Sequence, residues 1–161
     1  MTVFMNEEDT FSEAFTKYAD TVYRVAYHNT SSTVDAEDIT QEVFLKLLKA
    51  PKLFKDSEHL KAWLIRVTIN LCRDLLRKNR IRLVSSEEMK DNSVIDENPV
   101  LEAVRALPEK YRNTIYLHYY EGYTAREIGK ILGAKESTVL SWLARGREIL
   151  RKDFTGGFSD E

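Results

Sequence analysis

The feature that most constrains the fold is a helical repeat of apolar residues between Leu60 and Arg82. Apolar side chains recur there every three or four positions, at Leu64, Val67, Leu71 and Leu75. That spacing places them on one side of an α-helix, so the segment is predicted to be one amphipathic helix. No stretch of the chain shows the apolar-polar alternation that is typical of a strand. The chain is therefore predicted to be all-α.

The same predicted helix carries a polar row on another side. One turn after Trp63, side chains that suit nucleic acid recur at helical spacing: Arg66, Asn70, Arg73 and Arg77. Residues 60–83 hold seven Lys or Arg and one acidic residue, a net charge of +6 in a protein whose total is −2. A solvated surface helix is the plainest interpretation, because basic side chains cover apolar surface while their heads stay in water. A helix built for solubility mixes signs, however, so we favour a nucleic-acid face.

An acidic segment divides the chain in two. Residues 84–99 have neither helical nor strand periodicity and are rich in Ser, Asn and Asp. Such a composition is typical of a flexible linker. We therefore predict two small helical domains, residues 1–83 and 100–161, joined by a linker at residues 84–99.

The first domain is predicted to begin with two further helices, residues 8–29 and 35–49, the second of them capped by Asp35. Three polar residues of that second helix lie off its apolar stripe: Asp38, Gln41 and Glu42. The Asp38 and Glu42 carboxylates are four residues apart and suit a cation or a protein contact. We favour the protein contact, because Gln41 and Lys46 lie beside them on an exposed surface. Residues 51–59 are predicted to be a loop with one aromatic residue, Phe54.

The second domain contains a helix-turn-helix pattern. Thr124 and Glu127 form a capping box, Gly133 makes a turn, and a last helix is predicted from Lys135 to Lys152. The second helix of such a motif enters the major groove of DNA. Its candidate contacts to phosphates and base edges, with one from the preceding helix, are Arg126, Lys135, Ser137, Thr138, Ser141 and Arg145.

Several function classes find no support in the sequence. The three histidines lack metal-ligand spacing, no glycine-rich phosphate loop is present, and no nucleophile stands beside a base. We therefore predict no enzyme activity, no metal, no cofactor and no small-molecule substrate. No apolar run reaches membrane-spanning length and the N-terminus is unlike a secretory signal, so no membrane insertion is expected. The single Cys72 fits core packing in a reducing cytoplasm.

Three stretches in fixed order, residues 35–48, 62–78 and 107–152, resemble bacterial extracytoplasmic-function sigma factors. The motifs that carry the resemblance are D-A-E-D-x-x-Q-E-V-F, A-W-L-x-R and L-P-x-x-Y-R. The resemblance implies a cytoplasmic transcription initiation factor that joins core RNA polymerase and directs it to particular promoter DNA. It also implies control by an anti-sigma factor, often membrane-anchored, that occludes the polymerase-binding surfaces.

The resemblance assigns roles to the candidate residues. Asp38, Gln41 and Glu42 match the helix that docks on core polymerase, and the helix-turn-helix matches the domain that reads the minus-thirty-five element as duplex. The linker would pass through the polymerase RNA channel. The surface that reads and melts the minus-ten element is matched by Phe54, Trp63, Arg66, Asn70, Arg73 and Arg77.

One departure from the family pattern affects the last helix. After Thr138 and Val139 the family commonly has a basic residue, a serine and another basic residue, whereas this chain has Leu140, Ser141 and Trp142. Duplex affinity or sequence preference is therefore expected to differ. The main alternative function is a homodimeric helix-turn-helix regulator, which leaves the basic helix and the carboxylate helix unexplained. An enzyme acting on nucleic acid is a third class, and it lacks any catalytic group.

Overall fold

A computed structural model describes residues 7–49, 54–85 and 98–155. These residues form seven α-helices and no strand, which confirms the all-α prediction. The chain divides into two compact units, Met1–Val94 and Ile95–Glu161. The first unit contains α1 (Glu7–Thr30), α2 (Thr33–Lys49) and α3 (Ser57–Ser85). The second contains α4 (Pro99–Arg105), α5 (Glu109–Tyr119), α6 (Ala125–Leu132) and α7 (Glu136–Thr155).

The three helices of the first unit pack against one another around one core. Aliphatic side chains and the rings of Tyr18 and Phe44 form that core along α1 and α2, and α3 closes it. Its fully buried side chains include Val22, Ala26, Ala36, Val43, Leu47, Leu60 and Leu64. Burial of these side chains removes apolar surface from water and is the main force that holds the unit together. Cys72 is a buried free thiol within this core, as its sequence context suggested.

The buried face of α3 is wider than the predicted apolar stripe. Leu64 is buried as predicted, but Val67, Leu71 and Leu75 lie at the edge of the core. The deepest positions also include Ile65, Thr68, Ile69 and Cys72. The difference arises because α3 packs against both α1 and α2, so two adjacent sides of the helix are covered.

The start of α2 differs from the prediction. The helix begins at Thr33, and Ser32 caps it, because the Asp35 N–H donates a hydrogen bond to Ser32 Oγ at 3.2 Å. Asp35 therefore lies in the first turn, where its negative charge meets the positive end of the helix dipole. The start of α3 is capped in the same way, since the His59 N–H donates to Asp56 Oδ1 at 2.8 Å.

The second unit packs α5, α6 and α7 around a smaller core, with α4 against α5 and α7. Its buried apolar side chains include Val104, Leu107, Ile115, Leu117, Ile128, Val139 and Leu143. Asn98 caps α4 by accepting hydrogen bonds from the N–H groups of the first helical residues. The predicted linker begins two residues inside α3, and its residues 86–97 lie outside the described residues, as do residues 50–53.

Candidate nucleic-acid interface

The first candidate surface is the arginine row on α3, which we define as Arg66, Asn70, Arg73 and Arg77. All four side chains are exposed. Their spacing places them on the side of α3 opposite Leu64, Thr68 and Cys72, which are buried. At about 1.5 Å of rise per residue, the row extends roughly 16 Å along the helix. The helix therefore presents a continuous strip of three guanidiniums and one amide to solvent.

The arginine row keeps its positive charge although one acidic residue, Asp74, lies close to it. Arg77 pairs with Asp74 at 3.3 Å, and both side chains are largely exposed. An exposed ion pair of this kind contributes little and is screened by salt. This pair therefore costs little to break, and the guanidinium stays accessible on the exposed side of α3. The row suits the backbone of a nucleic acid better than an internal salt bridge.

Two aromatic residues lie next to the arginine row, and the structure places them differently. Trp63 is half-buried at the edge of the core. Phe54, by contrast, is only 5% exposed. Its ring meets the rings of Trp63 and His59 edge to face, at centroid distances of 5.7 and 5.4 Å. The sequence assigned Phe54 to the DNA-contacting surface, whereas in this structure its side chain lies in the core beneath Trp63.

The second candidate surface is the α2 stripe, which we define as Val34, Asp38, Gln41, Glu42 and Leu45. All five side chains are exposed, and helical spacing places them opposite the buried residues Ala36, Val43 and Leu47. Asp38, Gln41 and Glu42 were predicted from the sequence. Val34 and Leu45, which are 59% and 54% exposed, were missed. The signal for them was present, since both are apolar and lie out of phase with the buried stripe.

The third candidate surface is formed by α6, the turn at Gly133 and α7. Thr124 Oγ1 accepts a hydrogen bond from the Glu127 N–H at 3.2 Å, and Glu127 Oε1 accepts one from the Thr124 N–H at 2.9 Å. The predicted capping box is thus confirmed. Gly133 ends α6 with a φ of 72°, in the left-handed region that glycine adopts without strain. These two devices fix the ends of α6 and the direction in which α7 leaves.

Two carboxylates in the described part of this unit have a shifted pKa, and nearby partners explain both shifts. Hydrogen bonds from the Thr124 backbone and side chain hold the pKa of Glu127 below its usual value. The pKa of Glu148 is lowered by the hydrogen bond and charge of Lys152 and by the charge of Arg145. Glu148 lies 3.4 Å from Arg145. Both side chains of this pair are exposed to solvent, so the pair is weak and leaves the Arg145 guanidinium on the outer side of α7.

The predicted duplex contacts lie on the solvent side of the helix-turn-helix. Arg126, Lys135, Ser137, Ser141 and Arg145 are exposed, and Thr138 is half-buried. Val139, Leu143 and Gly146 of α7 face the core, which leaves this polar side outward. The two residues that depart from the family pattern differ in exposure. Trp142 is half-buried, whereas Leu140 is 52% exposed.

Within the described ranges, no helix is long and apolar enough to span a lipid bilayer. Among those same residues, no three His, Cys, Asp or Glu side chains come together as a metal site.

Two protein-family models match the chain, one for each unit. The model described as Sigma-70 region 2 matches residues 14–81, and the one described as Sigma-70, region 4 matches residues 97–150. The first match contains the arginine row and the α2 stripe, and the second contains the helix-turn-helix. The order of the two matches along the chain is the order that the sequence resemblance predicted.

Individual relatives extend these matches. The ECF RNA polymerase sigma factor SigE of Mycolicibacterium smegmatis is 34% identical over 94% of this chain, which spans 63% of the length of that protein. The RNA polymerase sigma factor SigV of Bacillus subtilis is 30% identical over 83% of this chain and 84% of its own length. Among solved structures, the sigma factor RpoE in complex with the anti-sigma factor NepR, from Bartonella quintana, aligns with a TM-score of 0.75. That alignment covers 92% of this chain and 98% of RpoE at 20% identity, and it shows a shared fold.

Proposed function

Because this chain belongs to the extracytoplasmic-function sigma factor family of RNA polymerase, we propose that it binds core RNA polymerase and directs the enzyme to specific promoters. The observation that carries the proposal is the arginine row, which is exposed along its whole length and lies within the match to Sigma-70 region 2. Sigma factors are transcription factors, and the proposal gives the chain no reaction and no cofactor of its own.

The arginine row suits a promoter strand that has been opened. Recognition of a melted strand requires cations along the sugar-phosphate backbone and a surface that holds unstacked bases. Arg66, Arg73 and Arg77 supply the cations, and Asn70 supplies an amide that both donates and accepts hydrogen bonds. The half-buried indole of Trp63 offers a stacking plane at the end of the row. We assign minus-ten recognition and melting to these residues, with Phe54 supporting the indole from the core.

The α2 stripe suits a protein partner better than a nucleic acid. It combines two carboxylates and an amide with the apolar side chains of Val34 and Leu45. Negative charge repels DNA, whereas an apolar contact with polar surroundings is typical of a protein interface. We assign core polymerase binding to Asp38, Gln41 and Glu42, with Val34 and Leu45 as the apolar part of the same contact.

The second unit suits duplex DNA. Lys135 and Ser137 stand at the start of α7, where a helix-turn-helix meets the major groove and the flanking phosphates. Arg126 on α6 and Arg145 on α7 add positive charge on the exposed side. We assign recognition of the minus-thirty-five element to these four residues together with Thr138 and Ser141.

Regulation by a protein partner follows from the same surfaces. RpoE of Bartonella quintana was solved with an anti-sigma factor, and its fold is shared with this chain. An anti-sigma factor that covers the α2 stripe would keep the chain from polymerase and hold it in the cytoplasm or near the membrane. Release would let the chain bind polymerase at the nucleoid.

The test is reconstitution with the full chain and a bacterial core RNA polymerase. We expect the chain to co-elute with core polymerase and to enable transcription from a defined subset of a promoter library. Core polymerase alone is the control and is expected to initiate without promoter preference. The proposal fails if polymerase gains no promoter preference while the chain alone protects a palindromic duplex, since that result identifies a homodimeric regulator.

A further inference from the structure

Leu140 is an apolar side chain in an unusual place. It is the fifth residue of α7 and is 52% exposed. The other large apolar residues exposed in the described part of the second unit are Val100, Tyr119 and Tyr120. Those three line one apolar groove of about 470 Å³ among α4, α5 and α7. Leu140 does not line that groove, so the groove does not account for the exposure of its side chain.

The neighbours of Leu140 form the side of α7 that points away from the core. Ser137, Ser141 and Ala144 are all exposed, at positions three before, one after and four after Leu140. Leu140 and Ala144 are one helical turn apart, so they form a short apolar strip with serines beside it. Val139 and Leu143 are buried on the adjacent side of α7 and anchor the helix in the core.

The strip lies where a helix-turn-helix meets base pairs. The early turns of the second helix contact base edges in the major groove, while cations at its flanks contact phosphates. Leu140 has no hydrogen-bonding group, so it discriminates between bases only through apolar contact. The thymine C5-methyl group is the apolar group that the major groove displays. Its chemistry matches an exposed isobutyl side chain.

Building on the proposed function, we propose that Leu140 contacts the C5-methyl group of a thymine in the minus-thirty-five duplex and selects thymine at that position. An arginine in the same place would instead favour guanine through its O6 and N7 atoms. The departure from the family's basic residue therefore changes which base is read and leaves the docking of α7 intact. Ser141 and Arg145 remain beside the strip for polar contacts.

The test uses the full chain with core polymerase and first selects its preferred minus-thirty-five duplex in vitro. Each thymine is then replaced singly by deoxyuridine, which keeps the hydrogen-bonding edge and lacks the methyl group. At one thymine we expect binding to weaken about fourfold, the effect of burying one methyl-sized group. Leu140→Ala should bind thymine and uracil equally at that position, and Leu140→Arg should shift the selected base there to guanine.

Val100→Ala is the matched control, because Val100 is also exposed and apolar but lies in the groove. It should keep the fourfold preference for thymine. The inference is overturned if no uracil substitution affects the parent chain, or if Leu140→Ala keeps the same preference. It is also overturned if Leu140→Ala reduces polymerase binding and leaves duplex selection unchanged, since Leu140 would then contact protein. If the parent complex selects no duplex at all, the proposed function itself fails.

Discussion

The ring of Phe54 lies edge to face against the ring of Trp63, with centroids 5.7 Å apart and planes inclined by 65°. Edge-to-face pairs of this kind are favourable beyond the area that they bury. Because Phe54 is buried and Trp63 is half-buried, the pair fixes the indole at the border between the core and the arginine row. Core packing and the candidate DNA surface are thus coupled through these two side chains.

Replacement of Phe54 separates the two roles that have been considered for it. Phe54→Ala should lower the free energy of unfolding by about 3–5 kcal/mol, because it leaves a cavity beneath Trp63. Phe54→Leu keeps most of the volume and should cost less. Denaturant unfolding followed by circular dichroism measures both. An unchanged stability combined with a loss of promoter opening would instead show that Phe54 touches DNA directly.

Substitutions in the arginine row should affect promoter opening more than polymerase binding. Asn70→Ala or Arg73→Ala should lower the yield of open complex about fivefold or more, since each removes a side chain that we assign to the melted strand. Permanganate footprinting measures the yield, and co-elution measures polymerase binding. Arg24→Ala, which removes an exposed arginine from α1, is the matched control and should leave the yield unchanged. If Asn70→Ala and Arg73→Ala both give the open-complex yield of the parent chain, the arginine row has no role in promoter melting.

Charge reversal on the α2 stripe should affect polymerase binding more than promoter opening. Asp38→Arg should weaken binding to core polymerase by about tenfold or more, because we assign Asp38 to that contact and a reversed charge there would oppose the partner surface. A pull-down with tagged core polymerase measures the effect. Glu13→Arg makes the same charge change at an exposed position of α1 and should bind like the parent chain. Equal binding by the two variants would argue against the stripe as the docking face.

The capping box makes α6 sensitive to acid. Thr124→Ala should cost about 1 kcal/mol of stability, the usual effect of losing an N-cap side chain. The folded-state pKa of Glu127 lies below its ordinary value of 4.5, so the carboxylate stabilises the folded state above that pH. This contribution is lost as the pH falls through the lowered pKa.

Unfolding curves measured between pH 3 and pH 7 test the assignment. Glu127→Gln keeps an acceptor oxygen and lacks the titrating group, so the part of the pH dependence that belongs to Glu127 should disappear. Glu136→Gln, the same substitution at an exposed carboxylate in the first turn of α7, should retain it. A pH dependence that survives unchanged in Glu127→Gln must come from another carboxylate.

Local sequence alone determined the helices, the capping box and the spacing of the arginine row. Each of these features depends on residues within about four positions of one another, so the local sequence is enough to predict it. The capping box at Thr124 and Glu127 was predicted in full, and the row is exposed as its period requires. The family resemblance was visible for the same reason, since its motifs are short: two lie within single helices, and the third spans the turn before α5 and the first residues of that helix.

Only the tertiary structure decided which ambiguous side chains face the core. Phe54 is part of the core because its ring packs against Trp63 of α3, and close to it in the chain the Tyr18 hydroxyl of α1 donates a hydrogen bond to the Ser57 carbonyl oxygen at 3.2 Å. Leu140 rather than Trp142 is the more exposed residue of α7. Each outcome depends on contacts between helices that are distant in the sequence, and helical periodicity does not contain that information.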